Sequence, residues 1–148
     1  MSTDRSVTND LIETLEDGRK GFAAAADKLA DSDRADLATT FRGYAGQRAE
    51  FSAELQKLAS AYGDDTDDSG SAAAAVHRGW MSLKDAISGS DPKGVLEAAE
   101  QGEDHAVSEY RDALAKDIST DLRVVVERQY DAIDMAHDEV RRLRDTVS

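Results

Sequence analysis

Apolar residues recur at steps of three and four along most of this chain, in four separate stripes, and that spacing commits it to helices. The first stripe holds Val7, Leu11, Leu15, Gly18, Phe22, Ala26 and Leu29. The second holds Leu37, Phe41, Tyr44, Arg48, Phe51, Leu55, Leu58 and Tyr62. Val95, Ala99, Gly102, Ala106, Tyr110 and Ala113 form the third, and Leu122, Val125, Gln129, Ile133, Ala136, Val140, Leu143 and Val147 the fourth. Only one proline occurs, Pro92, so nothing breaks these helices from within. The spacing predicts long helices over about 6–30, 33–62, 91–116 and 119–146.

The punctuation between stripes sets their order in space. Asp31, Ser32 and Asp33 make a short polar turn whose last residues can cap the second helix, so the first two helices lie antiparallel. Gly63 to Gly70 is a loop by composition, followed by a shorter helix over about 71–88 with Val76, Trp80, Leu83 and Ile87 on one face. Asp91 and Pro92 then start the third long helix, one as cap and one in the first turn, and Ser119 caps the fourth. About 28 residues separate the second and third long helices, enough to travel a bundle roughly 40 Å long at 1.5 Å per residue. The expected fold is all-α, a single antiparallel four-helix bundle spanning 1–148, with hairpin, crossover and hairpin in the ferritin-like order and the short helix in the crossover. A simple up-down-up-down bundle is the alternative.

Composition excludes more than it specifies. Cysteine is absent, which removes disulfides, thiolate nucleophiles and cysteine metal ligands and leaves three histidines as nitrogen donors. A net charge of −13 repels phosphate backbones and anionic headgroups, so nucleic acid and membrane are poor partners. Arg141, Arg142 and Arg144 form one basic cluster, placed where cations complement a helix C-terminus. With no apolar leader or membrane span, a cytoplasmic location is expected. Asp65, Asp67, Ser69 and Gly70 match the opening of a calcium-binding loop, but Val76 stands where its bidentate glutamate is needed. Serines sit at caps and loops without a histidine and acid partner, and no phosphate-binding glycine loop exists.

Five segments carry a resemblance: Asp10-Leu-Ile-Glu-Thr-Leu-Glu-Asp-Gly-Arg-Lys-Gly-Phe22, Gln47-Arg-Ala-Glu-Phe51, His77-Arg-Gly-Trp80, Gly102-Glu-Asp104 and Val126-Glu-Arg-Gln-Tyr130. Together they resemble a bacterial ferritin-like family of unknown function over nearly the whole chain. The resemblance implies a four-helix bundle; it lends no activity.

Ferritin-like bundles that perform redox chemistry hold two iron or manganese ions between inward glutamates and Glu-x-x-His pairs. Glu13 with Glu16, Gln47 with Glu50, Glu100 with Glu103, and Glu127 with Tyr130 have the spacing and lack the histidine. Helical wheels turn Glu13, Glu16, Glu50 and Glu127 away from the core and leave only Glu103 inward, too few for two hard cations. Arg48, Glu103 and Gln129 instead occupy stripe positions. Arg48 and Glu103 stand at equal depth from their hairpin turns, so they are expected to pair as an internal polar layer, with the Gln129 amide filling a remaining site. The other course for Arg48 is to run its guanidinium out to water. His77, His105 and His137 are read as edge histidines that share no level with Glu103. The glycines inside the helices call for close helix contact or room for a bulky neighbour such as Trp80.

The function expected is therefore non-enzymatic: a bundle acting by binding or assembly, without cofactor, through a protein partner or further copies of itself, and by analogy in stress physiology. Trp80 and Met81, on the crossover helix, are the expected partner face. The rival is a ferritin-like oxidase or ferroxidase with two iron or manganese ions on Glu16, Glu50, Glu103 and Glu127.

Overall fold

The computed structural model describes residues 2–61 and 91–146. Four α-helices and no strand occur among them: α1 is Ser2–Ala30, α2 Asp36–Ala61, α3 Pro92–Leu114 and α4 Thr120–Thr146. The expected crossover helix over about 71–88, with Trp80 and Met81, lies outside the described residues, as do His77 and the acidic loop 63–70.

Helix ends follow local chemistry. Asp91 keeps an extended backbone and accepts the Gly94 N–H at 3.0 Å, with Pro92 in the first turn where its missing N–H costs nothing. At α4 the Ser119 hydroxyl accepts the Leu122 N–H at 3.3 Å, while its own N–H is bound by the buried Asp4 carboxylate at 2.9 Å. That bond ties the first turn of α1 to the α3–α4 turn, and α1 is helical from Ser2, four residues ahead of the stripe-based start. Arg123 closes the other side of that turn by donating to the carbonyls of Leu114 and Lys116, both at 2.9 Å. The α1–α2 turn departs from expectation: Ser32 donates to the Leu29 carbonyl and accepts the Arg34 N–H, so it closes α1, and α2 starts only at Asp36.

The core divides into two apolar clusters. One gathers Phe22, Ala26 and Leu29 of α1, Leu37 and Phe41 of α2, Val95, Leu96 and Ala99 of α3, and Val140 of α4. The other gathers Val7, Leu11 and Leu15 of α1, Leu55 of α2, Ala106, Val107, Tyr110 and Ala113 of α3, and Leu122, Val126 and Ile133 of α4. The late turns of α1 and α4 thus share one cluster with the early turns of α2 and α3, and the reverse holds for the other. α4 enters the core at Leu122 as the stripe placed it, but its next core position is the fully buried Val126 and not the partly buried Val125. No helix of the described residues is long and apolar enough to cross a membrane.

Candidate functional site

Between the two clusters the stripes pass through a polar layer. Gly18 of α1, Arg48 of α2 and Gly102 and Glu103 of α3 fall here, with Ala136 between Ile133 and Val140 of α4. Gly18 lies against the Arg48 side chain: a methyl there would meet Nη1 at 3.6 Å and Cγ at 3.7 Å, ordinary van der Waals contact. Arg48 is 1% exposed and Glu103 0%. Arg48 Nη1 donates to Glu103 Oε1 at 2.6 Å and Nη2 to Oε2 at 2.7 Å, a planar two-point match of fork to carboxylate. Nε donates to Gln47 Oε1 at 3.1 Å, and the guanidinium carbon stands 5.1 Å from the Phe22 ring centroid, against the attractive π face. Phe22, Phe41 and Tyr44 stack around that side at centroid distances of 5.4–6.1 Å.

Gln129 is fully buried but serves another network. Its carbonyl oxygen accepts from Tyr110 Oη at 2.7 Å, and its amide donates to Glu54 Oε1 at 2.9 Å and to the Phe51 carbonyl at 3.3 Å. The amide beside Arg48 is therefore Gln47, a correction to the expected Gln129, and the reason is depth: Gln129 lies one helical turn before Ile133, inside the second cluster. Burial pushes the Tyr110 hydroxyl far above the usual phenol range, so it stays a neutral donor. Tyr44 is also raised, by burial first and by the negative charge of Glu103 second.

The four carboxylates of the dimetal alternative do not converge. Glu50 and Glu127 are exposed, and Glu16 binds Arg19 at 2.7 Å, a bond that holds its carboxyl below the usual range. Glu103 has both oxygens on Arg48. This donor set does not fit a pair of metal ions, each of which wants several oxygen ligands. The helix glycines are corrected too: a methyl at Gly43 or Gly46 would meet nothing within 4 Å, so close contact does not explain them.

His137 is the residue the sequence reading missed. It is 5% exposed, its Nε2 lies 2.5 Å from Asp104 Oδ1, and Asp104 follows Glu103 directly, so this histidine does share the level of the ion pair, on the outer side of α3 and α4. The cause is geometric: Cα–Cβ bonds lean toward the N-terminus of their own helix, so Asp104 and His137 on oppositely directed helices lean toward each other. Glu100, one turn before Asp104, holds Arg144 and, at 3.4 Å, Arg141. The expected basic cluster of α4 thus pairs across to α3 as well as with its own helix, where Arg142 binds Glu139. The legible signal was Asp134-x-x-His137 facing Glu100-x-x-x-Asp104, carboxylates and imidazole at one-turn spacing on adjacent helices. His105 is exposed.

No curated protein matches the chain. Residues 6–116, which hold most of α1, all of α2 and α3 and both partners of the buried ion pair, match a family defined only as a domain of unknown function, and the chain belongs to that family, DUF2383.

Proposed function

We propose that this chain is a ferritin-like bundle that works by binding or assembly and not by catalysis, its centre filled by the Arg48–Glu103 pair where redox relatives of that topology keep metal. The topology rests on the two clusters: α2 ends, and α3 starts, at opposite ends of the bundle, the order expected of hairpin, crossover, hairpin. The single observation that carries the functional reading is the two-point bond from Arg48 to Glu103 at 2.6 and 2.7 Å. A carboxylate whose lone pairs face a guanidinium cannot also ligate a cation without leaving that guanidinium buried and alone, a cost of several kcal/mol. The partner in this reading is a protein or another copy of the chain, since a net charge of −13 disfavours nucleic acid and anionic membranes. A cytoplasmic, bacterial and stress-related setting comes from the resemblance and the polar composition.

Two measurements test it together. Chain purified without chelator is assayed for bound metal and for oxidation of ferrous iron; the expected result is no centre holding two ions and no oxidation beyond that of buffer. Near two equivalents of iron or manganese per chain, lost in Glu103→Gln, overturns the reading in favour of an oxidase. Light scattering then distinguishes self-assembly, seen as a defined species several times the monomer mass, from a monomer that binds something else.

A further inference from the structure

On the outer face between α3 and α4, away from the buried pair, Glu100, Asp104 and His137 each bring one ligand atom within 4.8 Å of the others. Glu100 and Asp104 are four residues apart, so they stand one above the other on one side of α3, and His137 faces them from α4. A groove of about 590 Å³ opens alongside, lined by Asp104, Asp134, His137 and Asp138 among others. We propose that these three side chains form a site for one first-row divalent cation of the zinc or cobalt kind, ligated by His137 Nε2 and the carboxylates of Asp104 and Glu100, with groove water completing the shell.

Three observations support the assignment. First, one imidazole with two carboxylates is a mixed nitrogen and oxygen set, which suits zinc or cobalt better than calcium or magnesium, whose ligands are oxygens. Metal–ligand bonds of about 2.0–2.2 Å put donors roughly 3–4 Å apart, within reach of the present spacing by small side-chain rotations. Second, the far ring nitrogen, Nδ1, lies 3.5 Å from Asp138 Oδ1. With the proton on Nδ1 and donated to the carboxylate behind the imidazole, the Nε2 lone pair is left for the ion, the arrangement that orients histidine ligands in metal proteins, and Arg141 Nη2 turns from Nδ1 when the ion binds. Asp134 also brings a carboxylate oxygen within 4.8 Å of one of the ring nitrogens and of the Asp138 carboxylate. A plain His137–Asp104 hydrogen bond accounts for one of these contacts and not for carboxylates on both sides of a buried ring.

Third, the charges leave room for a dication. Glu100, Asp104, Asp134 and Asp138 face three guanidiniums, Arg141 and Arg144 on Glu100 and Arg111 beside Asp134, so the carboxylates stay in excess. Arg141 Nη2 lies 3.4 Å from Nδ1, and both arginines hold Glu100. They are competitors of the ion: Arg144 has a second partner, Asp145 at 3.0 Å, onto which it can withdraw. The site is independent of the reading of the bundle centre, because it uses neither Arg48 nor Glu103.

The test is calorimetric titration of chelator-stripped full-length chain with zinc chloride and cobalt chloride. One saturable equivalent is expected, unchanged in His105→Gln, weakened roughly 100-fold in His137→Gln and about 10-fold in Asp138→Asn, the scale of outer-shell partners. Arg144→Ala is expected to tighten it. Equal binding by wild type and His137→Gln, or several weak equivalents indifferent to these changes, overturns the site. Should His137→Gln lose helicity, the wild type decides: nitrogen NMR of the His137 ring must show Nε2 shifting selectively with zinc, and an unmoved Nε2 overturns it equally.

Discussion

Replacing Arg48 by methionine leaves Glu103, fully buried, with neither of its guanidinium bonds. Two hydrogen bonds to charged groups at about 1.5–3 kcal/mol each sum to about 3–6 kcal/mol, and stranding one member of a buried pair usually costs about 3–5 kcal/mol, so a loss of about 3–5 kcal/mol is expected. Glu103→Leu strands the guanidinium instead, with Gln47 and the Phe22 face beside it among the described residues, and a loss of the same order follows. For a chain of this length, at about 2–4 °C per kcal/mol, that lowers the melting temperature by roughly 6–20 °C. The double variant, Arg48→Met with Glu103→Leu, removes both charges and puts apolar volume between two apolar clusters. It is expected within about 1 kcal/mol of wild type, or above it. Denaturant unfolding followed by circular dichroism measures all four proteins as a double-mutant cycle. Single losses that simply add in the double variant would refute the reasoning, because they would mean that the two charges do not depend on each other and that Arg48 is solvated.

Gly43→Ala and Gly46→Ala should each raise stability by about 0.5–1 kcal/mol, since both sit within α2 and an added methyl meets nothing; a loss in thermal unfolding would reveal a contact there. Asp91→Ala removes the acceptor for the Gly94 N–H and should cost about 1 kcal/mol in the same assay, with Asp91→Ser recovering most of it. Burial first, then the charges of Asp10 and Asp112, raises the pKa of Glu109, so the folded state binds its proton more tightly than the unfolded chain does. Its ionised form therefore opposes folding at neutral pH, and the penalty falls as pH drops through the raised value toward the ordinary one. Glu109→Gln should stabilise the protein at neutral pH by on the order of 0.5 kcal/mol and less in mild acid, checked by unfolding at both pH values.

The elements that sequence made legible were those fixed by one helix at a time. Apolar spacing located four helices because burial of a stripe depends only on residues three and four apart. Asp91 with Pro92, and Ser119, marked their helix starts because capping is local chemistry. Ser32 misled because one hydroxyl can close the preceding helix or open the next, and only the path of the turn decides between the Leu29 carbonyl and the first N–H groups of α2. Val125 and Val126 misled for a similar reason. Adjacent valines fit the stripe almost equally well, and the contact with Leu122 and Ile133 selects the second.

The site divides along the same line. An arginine and a glutamate standing where leucine belongs cannot remain buried alone, so equal depth was enough to pair Arg48 with Glu103 across two helices. An amide has no such obligation. Gln129 satisfies itself with any neighbouring donor and acceptor, and its choice of Tyr110 and Glu54 over the ion pair depends on a register of one turn. His137 was harder still, because counting along each helix measures Cα positions while chemistry happens at side-chain tips. On oppositely directed helices those tips lean together, and the imidazole meets Asp104 although a Cα count sets them at different heights. A search for ligand sets in helical bundles should therefore compare tip positions: pairs on oppositely directed helices converge when each Cα lies toward the other helix's N-terminus and diverge when the offset is reversed, pairs on helices running the same way keep their offset, and a carboxylate-x-x-His motif facing a carboxylate pair across an antiparallel seam is the pattern to test first.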